Sequence, residues 1–186
     1  MQLADRFPSR PSRTLLLGVC FSVVAAVVSA RSKFNEKLSF GDPAPEWSDL
    51  PATDGRPHSL SDYKEARALV IVFTGSHCPM TKLYEERLLA AAAQFAEQKV
   101  QFVAINVDRK KPDTQGETAP KPGSSATKFP FPYLFDASQK SAAAYGATVT
   151  PQFFVLDAER KIAYMGAFDD NARAEKVEKH YLTDAV

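Results

Sequence analysis

Cys78 is the residue best placed for chemistry, within Phe73-Thr74-Gly75-Ser76-His77-Cys78-Pro79-Met80-Thr81. An apolar run precedes it and a helical pattern follows. A thiol in that position lies at the carboxyl end of a strand and the amino end of a helix. The free N–H groups and partial positive charge of a helix start favour the thiolate, which is the nucleophilic form. His77 adds an imidazole that would strengthen thiolate character if its charged ring faced the sulfur; as a plain loop residue it would not. Thr81 occupies the place where a dithiol redox site has its second cysteine. Its hydroxyl can donate to a thiolate or simply belong to the helix. These residues describe a redox-type cysteine with no local resolving partner.

His77, Cys78 and Met80 are also donor types that suit copper. A metal site needs further donors, and only His58 and His180 remain, with no spacing that connects them. Met80 is expected in the core. Glu85 and Glu86 are read as the solvated face of the helix. Nothing else in the chain calls for a cofactor: there is no phosphate loop, no Ser/His/Asp order and no pair of carboxylates placed for glycoside hydrolysis.

The elements that must position Cys78 follow from patterning. Ala68–Phe73 is a continuous apolar run, as in a strand buried on both faces. From Pro79 to Gln98 the pattern is helical, with Met80, Tyr84, Leu88, Ala91 and Phe95 at three- and four-residue steps. Proline suits the first helical position. Residues 100–107 form a second apolar strand, so a parallel strand–helix–strand unit with a right-handed crossover is expected. Asp54-Gly55 predicts a turn in a short hairpin. A helical turn is expected near Ser59–Tyr63, capped by Ser61. Tyr133–Phe135 is a short strand, and Ser138–Tyr145 a short helix ending at Gly146. Residues 151–156 and 161–165 are two strands joined at Asp157–Arg160. Asn171 is expected to cap a last helix running towards Leu182. Residues 109–128, basic and rich in Pro and Gly, read as a long exposed loop in which Lys110, Lys111 and Lys121 are solubilising.

The 186 residues suffice for one domain with a core, and a net charge of +1 gives no reason to expect nucleic acid as a partner. Arg6, Arg10 and Arg13, the uncharged apolar stretch 14–28 and then Val28-Ser29-Ala30 resemble a secretory signal. The stretch is shorter than the roughly 20 residues of a spanning helix. We therefore expect an export signal over 1–30, a flexible lead over 31–40 and one domain over 41–186. An uncleaved segment would act as a tether. Cys20 lies inside the signal, so its removal would leave Cys78 as the sole cysteine, in a periplasmic or extracellular setting.

Four segments carry a family resemblance. They are Gly41-Asp42-Pro43-Ala44-Pro45 with Leu60-Ser61-Asp62-Tyr63, the strand into Cys78-Pro79, Phe131–Asp136, and Val149-Thr150-Pro151 with the strand after it. In order and spacing the chain resembles the thioredoxin-like superfamily. Within it, the likeness is to the redoxin or peroxiredoxin-like branch of alkyl hydroperoxide reductase/thiol-specific antioxidant type. The resemblance implies an α/β, thioredoxin-like fold: a central mixed sheet flanked by helices, here with an N-terminal hairpin extension. It also implies that Pro151 is cis and faces Cys78, and that Thr150 and Pro151 form a groove for an extended substrate chain. Two departures count against a peroxidase. The peroxidatic cysteine of true peroxiredoxins corresponds to Thr81, and counted from Cys78 the threonine or serine expected three residues earlier is Gly75.

Three functions remain open on these residues. The first is an exported thiol oxidoreductase acting through Cys78 on protein disulfides or oxidised thiols, with an external thiol as reductant. The second is a peroxiredoxin-like peroxidase. The third is a binding module that keeps the fold without catalysis.

Overall fold

A computed structural model describes residues 35–76, 78–109 and 129–186. The expected export signal, His77 and the lysines of the 110–128 loop lie outside the described residues. Described elements in chain order are β1 (Leu50–Pro51), β2 (Pro57–His58), β3 (Ala68–Thr74), α1 (Pro79–Phe95), β4 (Val100–Asn106), β5 (Tyr133–Phe135), α2 (Lys140–Tyr145), β6 (Gln152–Leu156), β7 (Ile162–Gly166) and α3 (Tyr181–Ala185). No described helix is long and apolar enough to cross a membrane.

Five strands make one sheet in the order β5-β4-β3-β6-β7. β3 is central and buried throughout. It runs parallel to β4, from Ala68 opposite Val100 to Thr74 opposite Asn106. On its other side it runs antiparallel to β6, from Leu69 opposite Leu156 to Phe73 opposite Gln152. β5 is parallel to β4 and β7 antiparallel to β6, so the sheet is mixed. The 41–44 segment lies along the start of β7, with Gly41 N–H donating to Ile162 C=O at 2.8 Å and Ile162 N–H to Asp42 C=O at 2.9 Å.

The two-residue period of β3 splits the core. Leu69, Ile71 and Phe73 face a cluster with Leu60, Tyr63, Tyr145 and Phe154. Ala68, Val70 and Val72 face Tyr84, Leu88, Phe95, Phe153 and Phe168. Fully burying side chains of this size contributes about 1.5–3 kcal/mol each. Phe73, Tyr145 and Phe154 meet edge to face at centroid distances of 5.2–5.6 Å.

The apolar face of α1 differs from expectation. Met80 is 38% exposed, whereas Thr81 is 7% and Glu85 9% exposed. Counting about 100° per residue from Leu88, Thr81 lies about 20° from the stripe's centre and Met80 about 80°. Helix phase therefore overrides side-chain polarity at these positions.

The 3-10 turn Leu60–Tyr63 is capped by Ser59 rather than Ser61, and Asp62 accepts the Ser59 N–H at 2.7 Å. In the hairpin, His58 joins Asp54 at 2.9 Å and Tyr63 at 3.1 Å, so both its ring nitrogens are engaged within the fold. The described part of the expected flexible lead is held down: Asn35 is buried and donates to Tyr145 C=O at 2.8 Å. α2 begins at Lys140, not Ser138, because Asp136 accepts from the N–H and hydroxyl of both Ser138 and Ser141. It ends at Gly146, whose φ of 66° lies in the left-handed region that glycine adopts without penalty.

The long final helix expected from Asn171 does not form. A 3-10 turn at Ala174–Lys176 and the short α3 replace it. Asn171 accepts the Arg173 N–H at 3.0 Å, and Asp170 accepts those of Glu178 and Lys179 at 3.0 and 3.1 Å. These side chains compete with helical hydrogen bonds. Nearby, Arg87 of α1 pairs with the buried Asp169 and donates to Asn171 C=O at 2.9 Å and Ala172 C=O at 2.7 Å. Its guanidinium lies 4.1 Å from the centre of the Tyr84 ring.

Two outcomes follow. Phe154→Ala should cost about 3–5 kcal/mol, seen as a lower urea midpoint with an unchanged slope. Burial opposes ionisation of Asp136, but the Ser138 and Ser141 donors prevail and hold its carboxyl below the ordinary 3.8. A depressed native carboxylate stabilises above its unfolded value, and that contribution is lost as pH falls through the native one. The advantage of wild type over Asp136→Asn in urea midpoint should thus be full at neutral pH and shrink as pH falls below 3.8.

Candidate active site

β3 ends at Thr74, Gly75 and Ser76 turn the chain, and α1 starts at Pro79 with Cys78 at its N-cap. Cys78 N–H donates to Gly75 C=O at 3.2 Å. The sulfur sits at the carboxyl end of the central strand, where open α/β sheets place their sites.

Strand register brings the second half of the site to it. Phe73 lies opposite Gln152, so the residues before β6 arrive beside the turn that carries Cys78. The Thr150–Pro151 peptide is cis. Cys78 Sγ–H donates to Thr150 C=O at 3.1 Å. Gln152 Oε1 closes the approaching loop by accepting the Thr148 N–H at 2.9 Å. Cys78, Thr81, Thr150 and Pro151 are therefore gathered in one place. Thr81 Oγ1 lies 3.0 Å from Thr74 Oγ1.

The turn before Cys78 is clamped by residues that sequence reasoning missed. Asp108 Oδ2 accepts the Ser76 N–H at 2.7 Å. Asn106 Nδ2 donates to Ser76 Oγ at 2.5 Å and to Tyr133 OH at 3.1 Å, and Asn106 Oδ1 accepts the Asp108 N–H at 2.7 Å. A Cβ on Gly75 would stand 2.7 Å from Asp108 Oδ1, so a side chain there would displace the carboxylate that accepts the Ser76 N–H. A signal was available: Thr74 and Asn106 are the polar residues that close two apolar strands which end side by side.

Burial pushes the Cys78 thiol pKa up. The Thr150 side chain, the N–H and hydroxyl of Thr81 and the N–H of Met80 pull it down and prevail, leaving it below its ordinary value. The Thr150 carbonyl only accepts, so it holds the neutral thiol; the ionised sulfur must turn to the donors just named. No capping hydrogen bond from helix to Cys78 side chain is closed in the neutral arrangement.

Met80 and Val149, chain neighbours of the two halves of the site, are 38% and 62% exposed. A cavity of about 320 Å³ bounded by Phe73, Val107, Ala142 and Thr148 opens beside Thr150. A larger one, about 810 Å³, is lined by His58, Tyr63, Ala92, Phe102 and Phe131 and contains no thiol. Among the described residues no group of three His, Cys, Asp or Glu side chains is arranged to hold a metal, and Cys78 is the one free cysteine.

A family model described as AhpC/TSA matches residues 40–165. An uncharacterized conserved protein of known structure from Geobacillus kaustophilus is 34% identical over 76% of this chain and 75% of its own, with a TM-score of 0.65. A hypothetical protein from Sinorhizobium meliloti 1021 is 32% identical over 81% of each chain, with a TM-score of 0.64. The thioredoxin domain of a thiol-disulfide oxidoreductase from Bacteroides vulgatus shares the fold at 17% identity, covering 69% of this chain and 88% of that one, with a TM-score of 0.55. Among curated proteins nothing matches.

The site makes one chemical forecast. The rate of Cys78 alkylation by iodoacetamide against pH should titrate lower in the folded protein than in urea, where helix start and Thr81 are gone. Coincident profiles would contradict the donor arrangement around the sulfur.

Proposed function

Since the chain belongs to the AhpC/TSA family, we propose that it is a thiol–disulfide oxidoreductase that works through Cys78 alone. One observation carries this reading. The sulfur lies at a helix start against the Thr150 carbonyl, and Thr81, not a second thiol, occupies the next turn.

The Cys78 thiolate attacks one sulfur of a client disulfide. A bond forms between Cys78 and that sulfur, the client S–S bond breaks, and the other client sulfur leaves as a thiolate. With no second cysteine among the described residues, an external thiolate attacks the mixed disulfide. It returns Cys78 as thiolate and carries the client sulfur away in a new disulfide. Thr81 assists through its hydroxyl. The client enters as an extended chain along Thr150 and Pro151, where the exposed Val149 and Met80 offer apolar surface. His77 is a further candidate for favouring the thiolate. The basic start and apolar stretch of residues 1–30 support export, to the periplasm or beyond the cell.

A peroxidase would also use Cys78, taking it to sulfenic acid by cleavage of a peroxide O–O bond. Gly75 stands where a hydroxyl residue is expected for that chemistry, and a side chain there would displace the Asp108 carboxylate. A binding module would use the groove alone.

Mature wild-type protein should accumulate a mixed disulfide with a scrambled client protein, and added small thiol should discharge it. Cys78→Ser should abolish the adduct. Thr81→Cys should shorten its life, provided the two sulfurs can reach disulfide distance. Rapid turnover of disulfide by wild type without external thiol would refute the monothiol mechanism. Peroxide consumption would favour the peroxidase, and client binding retained by Cys78→Ser without any thiol reaction would favour the binding module.

A further inference from the structure

We infer that Thr74 is a positioning residue: its hydroxyl donates to Thr81 Oγ1, which turns the Thr81 proton towards the Cys78 sulfur. This rests on the reading of Cys78 as the reacting thiolate.

The argument is a count of protons. Thr74 is 1% and Thr81 7% exposed, so both side chains lie out of bulk water. Their oxygens are 3.0 Å apart. The pocket around them is lined by Val72, Tyr84, Leu88, Ala104, Pro151 and Phe153, an apolar wall apart from the Tyr84 hydroxyl. A buried hydroxyl proton is costly to leave without an acceptor. One hydroxyl of the pair donates to the other, and the second proton is left over. If Thr81 donates to Thr74, the leftover proton belongs to Thr74, within the apolar pocket. If Thr74 donates to Thr81, the leftover proton belongs to Thr81, one helical turn from the N-cap sulfur. This second arrangement aims the remaining proton at the sulfur once Cys78 has ionised. The Thr81 side chain acts on the thiol in the sense this requires, favouring its charged form.

The arrangement also fits the thiol cycle. The neutral thiol donates to Thr150 C=O. On ionisation that bond is lost, and the sulfur becomes an acceptor for a donor already oriented behind it. No rearrangement of the core is needed, because Thr74 is fixed at the end of the central strand.

The test measures Cys78 alkylation rate against pH, with thiolate ultraviolet absorbance as a second readout, for wild type, Thr74→Val, Thr74→Ser and Thr81→Val. Thr74→Val keeps the side-chain shape in an apolar pocket. We expect it to raise the Cys78 pKa by about half to one unit, so that roughly three- to tenfold less thiolate is present at pH below both values. Thr74→Ser should restore the wild-type profile, which a role in packing alone would not. The Thr74→Val/Thr81→Val double variant should shift no further than Thr81→Val, because the hydroxyls act in series. Thermal melting checks each fold, and Thr74→Ala replaces Thr74→Val if the latter unfolds. A wild-type Cys78 that titrates like a free thiol would sink both this inference and the reading beneath it. A depressed wild-type value unmoved by Thr74→Val, or additive shifts in the double variant, would overturn the relay alone.

Discussion

The constraint on which the rest depends is the place of β3 between a parallel and an antiparallel neighbour. Thr74 opposite Asn106 and Phe73 opposite Gln152 bring three chain segments to one end of the sheet. One carries Cys78, one carries Asn106 and Asp108, and one carries Thr150 and Pro151. A slip of one residue in either pairing would turn β3's side chains to opposite faces and separate the thiol from its carbonyl partner. The alternation of Leu69, Ile71 and Phe73 against Val70 and Val72 makes such a slip costly, because both faces are buried. Hydrophobic packing thus fixes the site before any polar contact refines it.

The polar contacts then act on a small region. Each contributes about 0.5–1.5 kcal/mol net, whereas leaving a buried partner unpaired costs about 1–3 kcal/mol. Asn106 illustrates the asymmetry. It is 3% exposed and meets Ser76, Tyr133 and the Asp108 N–H together. Such a group adds modestly to global stability and strongly disfavours alternative paths for the Gly75–Ser76 turn. The carboxylate of Asp136 does the same for α2, the helix that walls the cavity beside Thr150.

The sequence made the strands, the long helix, the hairpin turns and the thiol's place legible, because each is written in local periodicity or in Pro and Gly. The resemblance supplied the partnership of Cys78 with Thr150 and Pro151, which no local pattern contains. What escaped were polar residues whose roles depend on register. Thr74 and Asn106 look like strand ends until β3 and β4 are paired. Glu85 looks solvated, and Met80 buried, until the phase of α1 is fixed by the stripe through Leu88. The last helix failed for a different reason: Asp170 and Asn171 bond to the backbone of a charged stretch with too few apolar residues to reward helix formation.

The pairing of Arg87 with Asp169 has an evolutionary meaning. The Asp169 side chain is wholly buried and that of Arg87 is 16% exposed, so neither charge can be released to water by a small adjustment. Losing one partner strands the other, at a cost of about 3–5 kcal/mol, whereas replacing both with well-packed apolar groups is often neutral. The two positions are therefore poorly reached by single steps and should change together among descendants of this fold. Because Arg87 also holds the carbonyls of Asn171 and Ala172, such an exchange would free the strand-to-terminus connection to drift in length. The ion pair thus ties the path of the C-terminal segment to the long helix.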